Sequence, residues 1–429
     1  MNDLDVVIVG GGIGGLSAAC ALSRKGFRVR VLERSAEFGE VGAGIQIAPN
    51  CTRILAEYGL LDEAKRLGVL VENMIMKDAV DGTELTRLDL RDVERRYGTP
   101  YMVIHRTDLH GLFLSAARDR GVDLRTSQYV VAFESVPGGA RVTLASGETH
   151  AAPVVIAADG LHSVARGLLI DDAPVNSAYV AYRGAVPIDL VRENNVAERD
   201  VVVYVGPHCH FVQYPLRGGE IFNQVAVFES PRARAGEEDW GTPGELDAAF
   251  AGMCGNVRKG LPLMWRDRRW RMFDRDPITS WVFDRVALLG DAAHPPLQYI
   301  AQGAIMAIED GYVLAEHAAA CSGAGTGTGD GTGARPSTDW DAALAAYQAV
   351  RAEHCRRVVL ASRDWGRLWH LDGDRRLRRN AVLRARDTYD YGFVDWLYER
   401  TAVTPDQEPE MFRPIPLMGP KVMLGQSCP

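Results

Sequence analysis

The first 35 residues constrain the fold of this chain more than any other part. Val6 to Val9 is an apolar run, and Gly10-Gly11-Gly12-Ile13-Gly14-Gly15 follows it. Leu16 to Lys25 carries small and apolar residues at helical spacing, Gly26 ends that segment, and Val29 to Glu33 reads as a second strand. The pattern predicts strand, turn, helix, strand, which is half of a nucleotide-binding βαβ unit. Gly10, Gly12 and Gly15 fit the G-x-G-x-x-G spacing. The first glycine permits a tight turn, the second lets backbone approach a pyrophosphate, and the third lets the helix pack on the strand. The helix N-terminus adds free N–H groups and a partial positive charge. Glu33 lies 18 residues after Gly15, at the end of the second strand, where a carboxylate can accept both ribose hydroxyls. The glycines alone are a weak signal. With the strand, the helix and Glu33 they specify a nucleotide, without choosing between FAD and NAD.

Bulk properties narrow the partners. The 429 residues are 47% hydrophobic and 24% charged, an ordinary globular composition with length for two or more domains. The formal net charge is −8 with no long block of one sign, so a small ligand is expected rather than nucleic acid. The most basic stretch, Arg375 to Arg386, reads as a solvated or inter-subunit face. Seven cysteines, an odd number without C-x-x-C spacing, argue against a disulfide framework and for a reducing cytoplasm. The N-terminal residues lack a basic region and a small-residue cleavage site. No apolar run reaches the ~18 residues that span a bilayer.

Further along, apolar spacing predicts helices over 52–68 and 107–120, with Thr107 as a cap for the second. Residues 140–158 read as a hairpin leading into a buried strand. From about 178 to 230 the period is close to two. Val201–Val205, His210–Tyr214 and Phe222–Phe228 are strands of a mostly antiparallel sheet, taken as a second domain. Residues 322–338 are a Gly/Thr-rich linker, 339–365 and 374–386 are helices, and the proline-rich tail has no assigned structure.

Two more stretches carry chemistry. Val154–Ala158 is an apolar strand ending in Asp159-Gly160, followed by Ser163 and Arg166. Val286–Leu289 is another, delivering Gly290 and Asp291 to a loop that enters a helix near Gly303. Asp291 can accept from a polyol hydroxyl, and the Gly303 amide region can stabilise negative charge on a bound ring. His294, beside two prolines, reads as a loop-shaping residue.

Together the three stretches resemble the dinucleotide fold, Asp-Gly motif and Gly-Asp motif of single-component flavoprotein aromatic hydroxylases, the para-hydroxybenzoate and salicylate hydroxylase family. Within it, Phe38–Gly44, Ala181–Gly184, Cys209–Gly219, Asn223–Pro231, Pro295–Tyr299 and Leu368–Gly373 are similar to the 3-hydroxybenzoate 6-hydroxylase branch. The resemblance runs to about residue 397 and fails over the linker and tail. It implies an α/β fold: a Rossmann-like FAD-binding domain (1–75, 106–177 and 276–321) with an inserted, mostly antiparallel β-sheet substrate domain (76–105 and 178–275). The linker (322–338) and C-terminal helices and tail (339–429) follow.

Matched positions imply FAD contacts at Gly12, Glu33, Arg34, Gly44, Arg106, Val130 and Asp291, beside Gly10, Gly15 and Gly303 from the motifs. They imply Tyr101, His210, Tyr214 and Gln298 at the substrate, with His210, Tyr214 and Gln298 in the catalytic set. His210 and Tyr214 share one strand face but lie ~13 Å apart along it, so their side chains must lean together over a ring. His208-x-His210 lacks a third ligand, and no metal is expected.

The family's cycle uses NADH, with NADPH as the alternative, and O₂. A flavin C4a-hydroperoxide hydroxylates a phenolic ring, and 3-hydroxybenzoate gives gentisate. A histidine with a pKa near working pH suits the proton removal that activates the phenol. A cytoplasmic homodimer is also implied. The rivals are salicylate-type hydroxylation and a non-catalytic flavin-binding protein. A disulfide oxidoreductase would need a second cysteine near Cys51, and a halogenase would need a Trp-x-Trp-x-Ile-Pro stretch.

Overall fold

A computed structural model describes residues 4–39, 42, 44–192, 197–323 and 337–399. The core of the linker, 324–336, and the tail from 400 onward lie outside the described residues. The linker's flanks meet, with Ser322 Oγ 2.8 Å from Thr338 Oγ1.

Runs of β-branched residues build a six-stranded sheet in the order Val282–Phe283, Val286–Leu288, Val154–Ala157, Val6–Val9, Val29–Leu32, Asp123–Arg125. All but the first strand run parallel. Val6–Val9 and Val154–Ala157 are fully buried, as parallel strands covered on both faces must be. Helix Ile13–Arg24 packs on Gly303–Ala320 so closely that a Cβ on Gly311 would lie 2.7 Å from Ala18 Cα.

A second sheet has seven strands in the order Trp270–Asp274, Val175–Pro187, Ile221–Glu229, Cys209–Leu216, Asp200–Gly206, Asn73–Asp78, Glu84–Asp89. Its one parallel pair joins Asp200–Gly206 to Asn73–Asp78. Met102–His105 belongs instead to a small sheet with Gly44–Ile47 and Val69–Leu70. A three-stranded antiparallel meander, Val130–Val136, Gly139–Leu144 and Thr149–Ala152, precedes the buried strand Val154–Ala157.

Three expectations change in detail. The helix expected over 52–68 is two helices, Pro49–Glu57 and Leu61–Leu67, because Gly59 turns the chain with φ +71°. The helix Arg106–Asp119 is capped by His105, whose Nδ1 accepts from the Thr107 amide at 3.4 Å. The arginine-rich helix, Gly373–Arg384, is not a free basic face. Arg379 is buried and donates to Trp369 O at 2.7 Å, and Arg376 Nε donates to Asp78 at 2.8 Å. These bonds dock the C-terminal helices onto the seven-stranded sheet.

Candidate active site

Register brings the three chemistry-bearing stretches to one sheet edge. Val9 pairs with both Ala157 and Leu32, and Ala157 pairs with Leu288. The strands therefore end together and deliver Gly10, Glu33, Asp159 and Gly290 to the same rim, where open α/β sheets bind ligands.

The glycine turn has no room for side chains. A Cβ on Gly15 would lie 1.9 Å from Gly10 O, and one on Gly10 (φ +109°) would lie 2.2 Å from Ala158 O. Gly12 begins the helix Ile13–Arg24 with no side-chain cap bond, leaving that N-terminus for an anion. Glu33 accepts from Gly11 N at 2.7 Å and Ser35 N at 2.8 Å. A carboxylate has lone pairs to spare for ribose hydroxyls beyond these two bonds. Gln128 N donates to Glu33 O, which carries the segment leading to buried Val130 beside exposed Arg34. This cradle fits the pyrophosphate and ribose of a dinucleotide such as FAD.

The other two stretches are tied to each other. Arg166, almost fully buried, donates to Ala293 O at 2.7 Å and pairs with Asp172 at 2.8 Å. Asp159 Oδ2 accepts from Val164 N at 2.8 Å, closing the Asp-Gly turn. His294 does more than shape its loop. Its Nε2 lies 2.6 Å from Asp310 Oδ2, which also accepts from Gly290 N at 3.0 Å. Arg351 Nε donates to Asp310 Oδ1 at 2.7 Å. The loop holding Asp291 is thereby anchored to two helices. His294, Asp310 and Cys355 cluster like metal ligands, but the Arg351 guanidinium already supplies the positive charge there.

A cavity of about 610 Å³ starts at Gly12 to Gly14 and passes Asp291 and Gly303. It continues along the seven-stranded sheet among aromatic side chains, Trp365, Trp369, Trp396 and Tyr398 included. Gly12, Gly44, Tyr101, Arg106, His210, Tyr214, Asp291, Gln298 and Gly303 all line it. Gly10, Gly15, Glu33, Arg34 and Val130 do not line it; the first three belong to or bond the glycine turn. Alternation explains the aromatic end. His210, Val212 and Tyr214 face the cavity from a strand buried on both faces. Tyr101 Oη donates to Gln46 Oε1 at 2.6 Å. Gln298, half-buried, opens the short helical turn Gln298–Ile300.

Electrostatics overturn one expectation. Burial pushes the His210 imidazole down to about 3, so its pKa does not sit near working pH. Its Nδ1 lies 2.9 Å from His370 Nε2. His208 diverges from His210: it is exposed and bonded to Glu229 at 2.6 Å, so the two histidines form no metal pair.

Nothing in the sequence singles out Arg183, though its stretch carries part of the resemblance. It lines the cavity, its guanidinium lies 5.5 Å from the Trp270 ring, and among the described residues no carboxylate pairs with it. Burial lowers its pKa, and the adjacent Tyr214 opposes that.

The comparisons agree with this geometry. The family described as "FAD binding domain" matches residues 3–331. A 3-hydroxybenzoate 6-hydroxylase of Polaromonas naphthalenivorans is 39% identical over 404 residues, covering 92% of this chain and 96% of that protein. A 3-amino-4-hydroxybenzoate 2-monooxygenase of Streptomyces cremeus is 35% identical over 94% of this chain and 97% of its own length. The crystal structure of Klebsiella pneumoniae HpxO with FAD and uric acid superposes with a TM-score of 0.77 at 26% identity, covering 90% of this chain and 94% of that one. The α/β architecture and the hydroxylase resemblance read from the sequence are thus borne out, and the chain belongs to the FAD-binding family of aromatic-ring monooxygenases.

Proposed function

We propose that this monooxygenase hydroxylates a monohydroxybenzoate, 3-hydroxybenzoate at C6 before others, giving gentisate (2,5-dihydroxybenzoate). The carrying observation is the spacing of Arg183 and His210 across a largely apolar cavity. Arg183 pairs with Val225 and Val225 with Val212, so Arg183 stands ~10 Å, two strand spacings, from Val212. His210 lies two residues, ~7 Å, along the strand from Val212. The two Cα atoms are then on the order of 12 Å apart on one face of the sheet, and both side chains line the cavity, so an aromatic acid can lie between them. A guanidinium at one end suits a carboxylate, and an imidazole at the other suits a phenol. The activity named for the Polaromonas relative supports the same substrate.

In this reading Arg183 holds the carboxylate and His210 Nε2 meets the phenol. Tyr101 and Tyr214 flank the ring, with Gln298 hydrogen-bonding at its rim. Shifting the phenol towards phenolate raises electron density at the para carbon, C6. Gly10, Gly12, Gly15, Glu33, Arg34 and Val130 would hold the nucleotide half of FAD, and Gly44, Arg106, Asp291 and Gly303 the flavin half. FAD, when bound, supplies the oxygen-activating chemistry, with O₂ as co-substrate and NADH (alternatively NADPH) as electron source. The aromatic walls keep water from the reacting centre. A cytoplasmic homodimer completes the proposal, on the strength of the resemblance alone.

The test supplies the purified protein with FAD, NADH, O₂ and each monohydroxybenzoate in turn. Gentisate from the 3-isomer, matching NADH consumed, is the expected result. Catechol from the 2-isomer as the preferred product makes the chain a salicylate-type hydroxylase. A non-catalytic flavin protein would show no NADH oxidation stimulated by any phenol.

A further inference from the structure

The resemblance implies His210 as the base that takes the phenol proton and, with a pKa near working pH, would hold it. Its surroundings deny it that role, because a buried imidazole driven down to about 3 stays neutral. A proton leaving the phenol must therefore pass through the ring. His210 Nδ1 faces His370 Nε2 at 2.9 Å, across 160 residues of sequence. His370 ends the long helix Trp340–Trp369 as its C-cap and stacks on Tyr179 at 4.5 Å and 15°. It does not line the cavity. It is 6% exposed where His210 is 1% exposed, and its carbonyl accepts from His208 N on the exposed turn. The pair thus leads from the cavity wall towards solvent.

We infer that His370 is a positioning and relay residue, which fixes the tautomer of His210 and carries the phenol proton out of the cavity. This deepens the hydroxybenzoate reading and rests on it. The transfer balances without a stored charge. The phenol O–H bond breaks as His210 Nε2–H forms. The proton on His210 Nδ1 passes to His370 Nε2, and His370 Nδ1 releases its own to water. Both rings end neutral with exchanged tautomers, and the reverse passage resets them when the product oxygen regains its proton.

The groups facing His370 agree with passage rather than storage. They are Tyr179 from the strand Val175–Pro187, Tyr299 from the turn Gln298–Ile300, His208, His210, and Arg379 from the following helix. After burial, the largest influences on His370 are His210, His208 and Arg379, and all of them disfavour a positive ring.

Two variants test this. His370→Phe keeps a flat ring against Tyr179 and removes both nitrogens. His370→Gln keeps a hydrogen-bonding group and serves if the first fails to fold. With 3-hydroxybenzoate, gentisate formation should fall by roughly a hundredfold, the low end of what proton-transfer catalysis contributes. With ring-fluorinated 3-hydroxybenzoates, whose phenols are more acidic, that loss should shrink. ¹⁵N-histidine NMR of the FAD-loaded variants should show His210 losing a fixed tautomer, a readout independent of turnover. An equal loss with both substrates, or no loss, overturns the relay while wild-type gentisate formation leaves the substrate reading standing. Absence of gentisate from the wild-type protein overturns the substrate reading itself.

Discussion

Gly44 and Tyr214 occupy space that a larger residue at position 44 could not share. A Cβ on Gly44 would lie 2.3 Å from Tyr214 Cε2 and 2.8 Å from its Oη. The Gly44 amide also donates to Asn223 Oδ1 at 3.2 Å, and Asn223 is the cross-strand partner of Tyr214. The chain entering the cavity is thus seated against the residue proposed to flank the ring. Gly44→Ala should push Tyr214 off its position and cost about 1–3 kcal/mol of stability, as overpacking does. KM for 3-hydroxybenzoate should rise about tenfold, since a small misfit in a packed pocket is worth ~1–3 kcal/mol. Adding Tyr214→Ala removes the clash, so the double variant should melt above the value that summing the single changes gives. Additive melting shifts would show that the two residues do not compete for this space.

Arg183 should govern recognition of the carboxylate. A hydrogen bond to a charged group contributes ~1.5–3 kcal/mol, so Arg183→Gln should raise KM for 3-hydroxybenzoate about 10- to 100-fold. FAD content should stay the same. An uncharged phenol lacking the carboxylate should be handled equally by both proteins. Steady-state kinetics on the two substrates check this, and an equal KM increase for both would place Arg183 elsewhere in the chemistry.

Arg183 also marks where sequence stops being informative. The glycine turn, the strands around it and Glu33 are legible because each depends on local spacing, and the structure gives the turn no other residue to use. The alternation from His210 to Tyr214 is legible for the same reason, since a strand's period assigns its faces. Gly59 hides its effect, because a lone glycine in an apolar pattern does not announce a left-handed turn. What stays illegible is set by distant segments. His370 reaches His210 only after the long C-terminal helix folds back, and desolvation of His210 follows from the aromatic rings Tyr299 and Trp369 packed around it. Arg375 to Arg386 looks like a solvated face because its acceptors, Asp78 and the end of the preceding helix, are remote or internal to the tertiary fold.

Asp310 should be as important to cofactor retention as any residue in the glycine turn. It holds Gly290 N and His294 on one oxygen and Arg351 on the other, all inside the protein. Burial raises a carboxyl pKa, but His294 and Arg351 outweigh it and draw Asp310 down to about 2. Because the folded value lies below the unfolded one, Asp310 stabilises the fold above about pH 4 and loses that contribution as pH falls towards 2. Asp310→Asn leaves the buried Arg351 with Glu309, 2.9 Å away, as its remaining carboxylate and takes the carboxylate from His294, and should cost about 3 kcal/mol. Purified variant should carry less FAD, and its melting temperature should fall even with added FAD. Full FAD occupancy and unchanged melting would show that the loop holding Asp291 is fixed by other contacts.

His210 gives a further prediction with a definite sign. Its folded value of about 3 lies below the ordinary 6.5. Between those values the unfolded chain binds a proton that the folded protein refuses, so stability is full above about pH 6.5 and declines as pH falls towards 3. Each unit of difference corresponds to ~1.4 kcal/mol, so this one buried ring adds a loss of a few kcal/mol across the acid range. His370, held well below its ordinary value by burial and by His210, acts in the same direction. Denaturant unfolding of the wild-type protein should therefore show a midpoint that drops steadily from pH 6.5 to pH 4.5. His210→Gln should be less stable than wild type at pH 7.5, where a bonded neutral ring has been removed, yet show a shallower acid slope. Parallel slopes in the two proteins would mean that His210 titrates near its ordinary value, and would restore it as a base able to store the phenol proton.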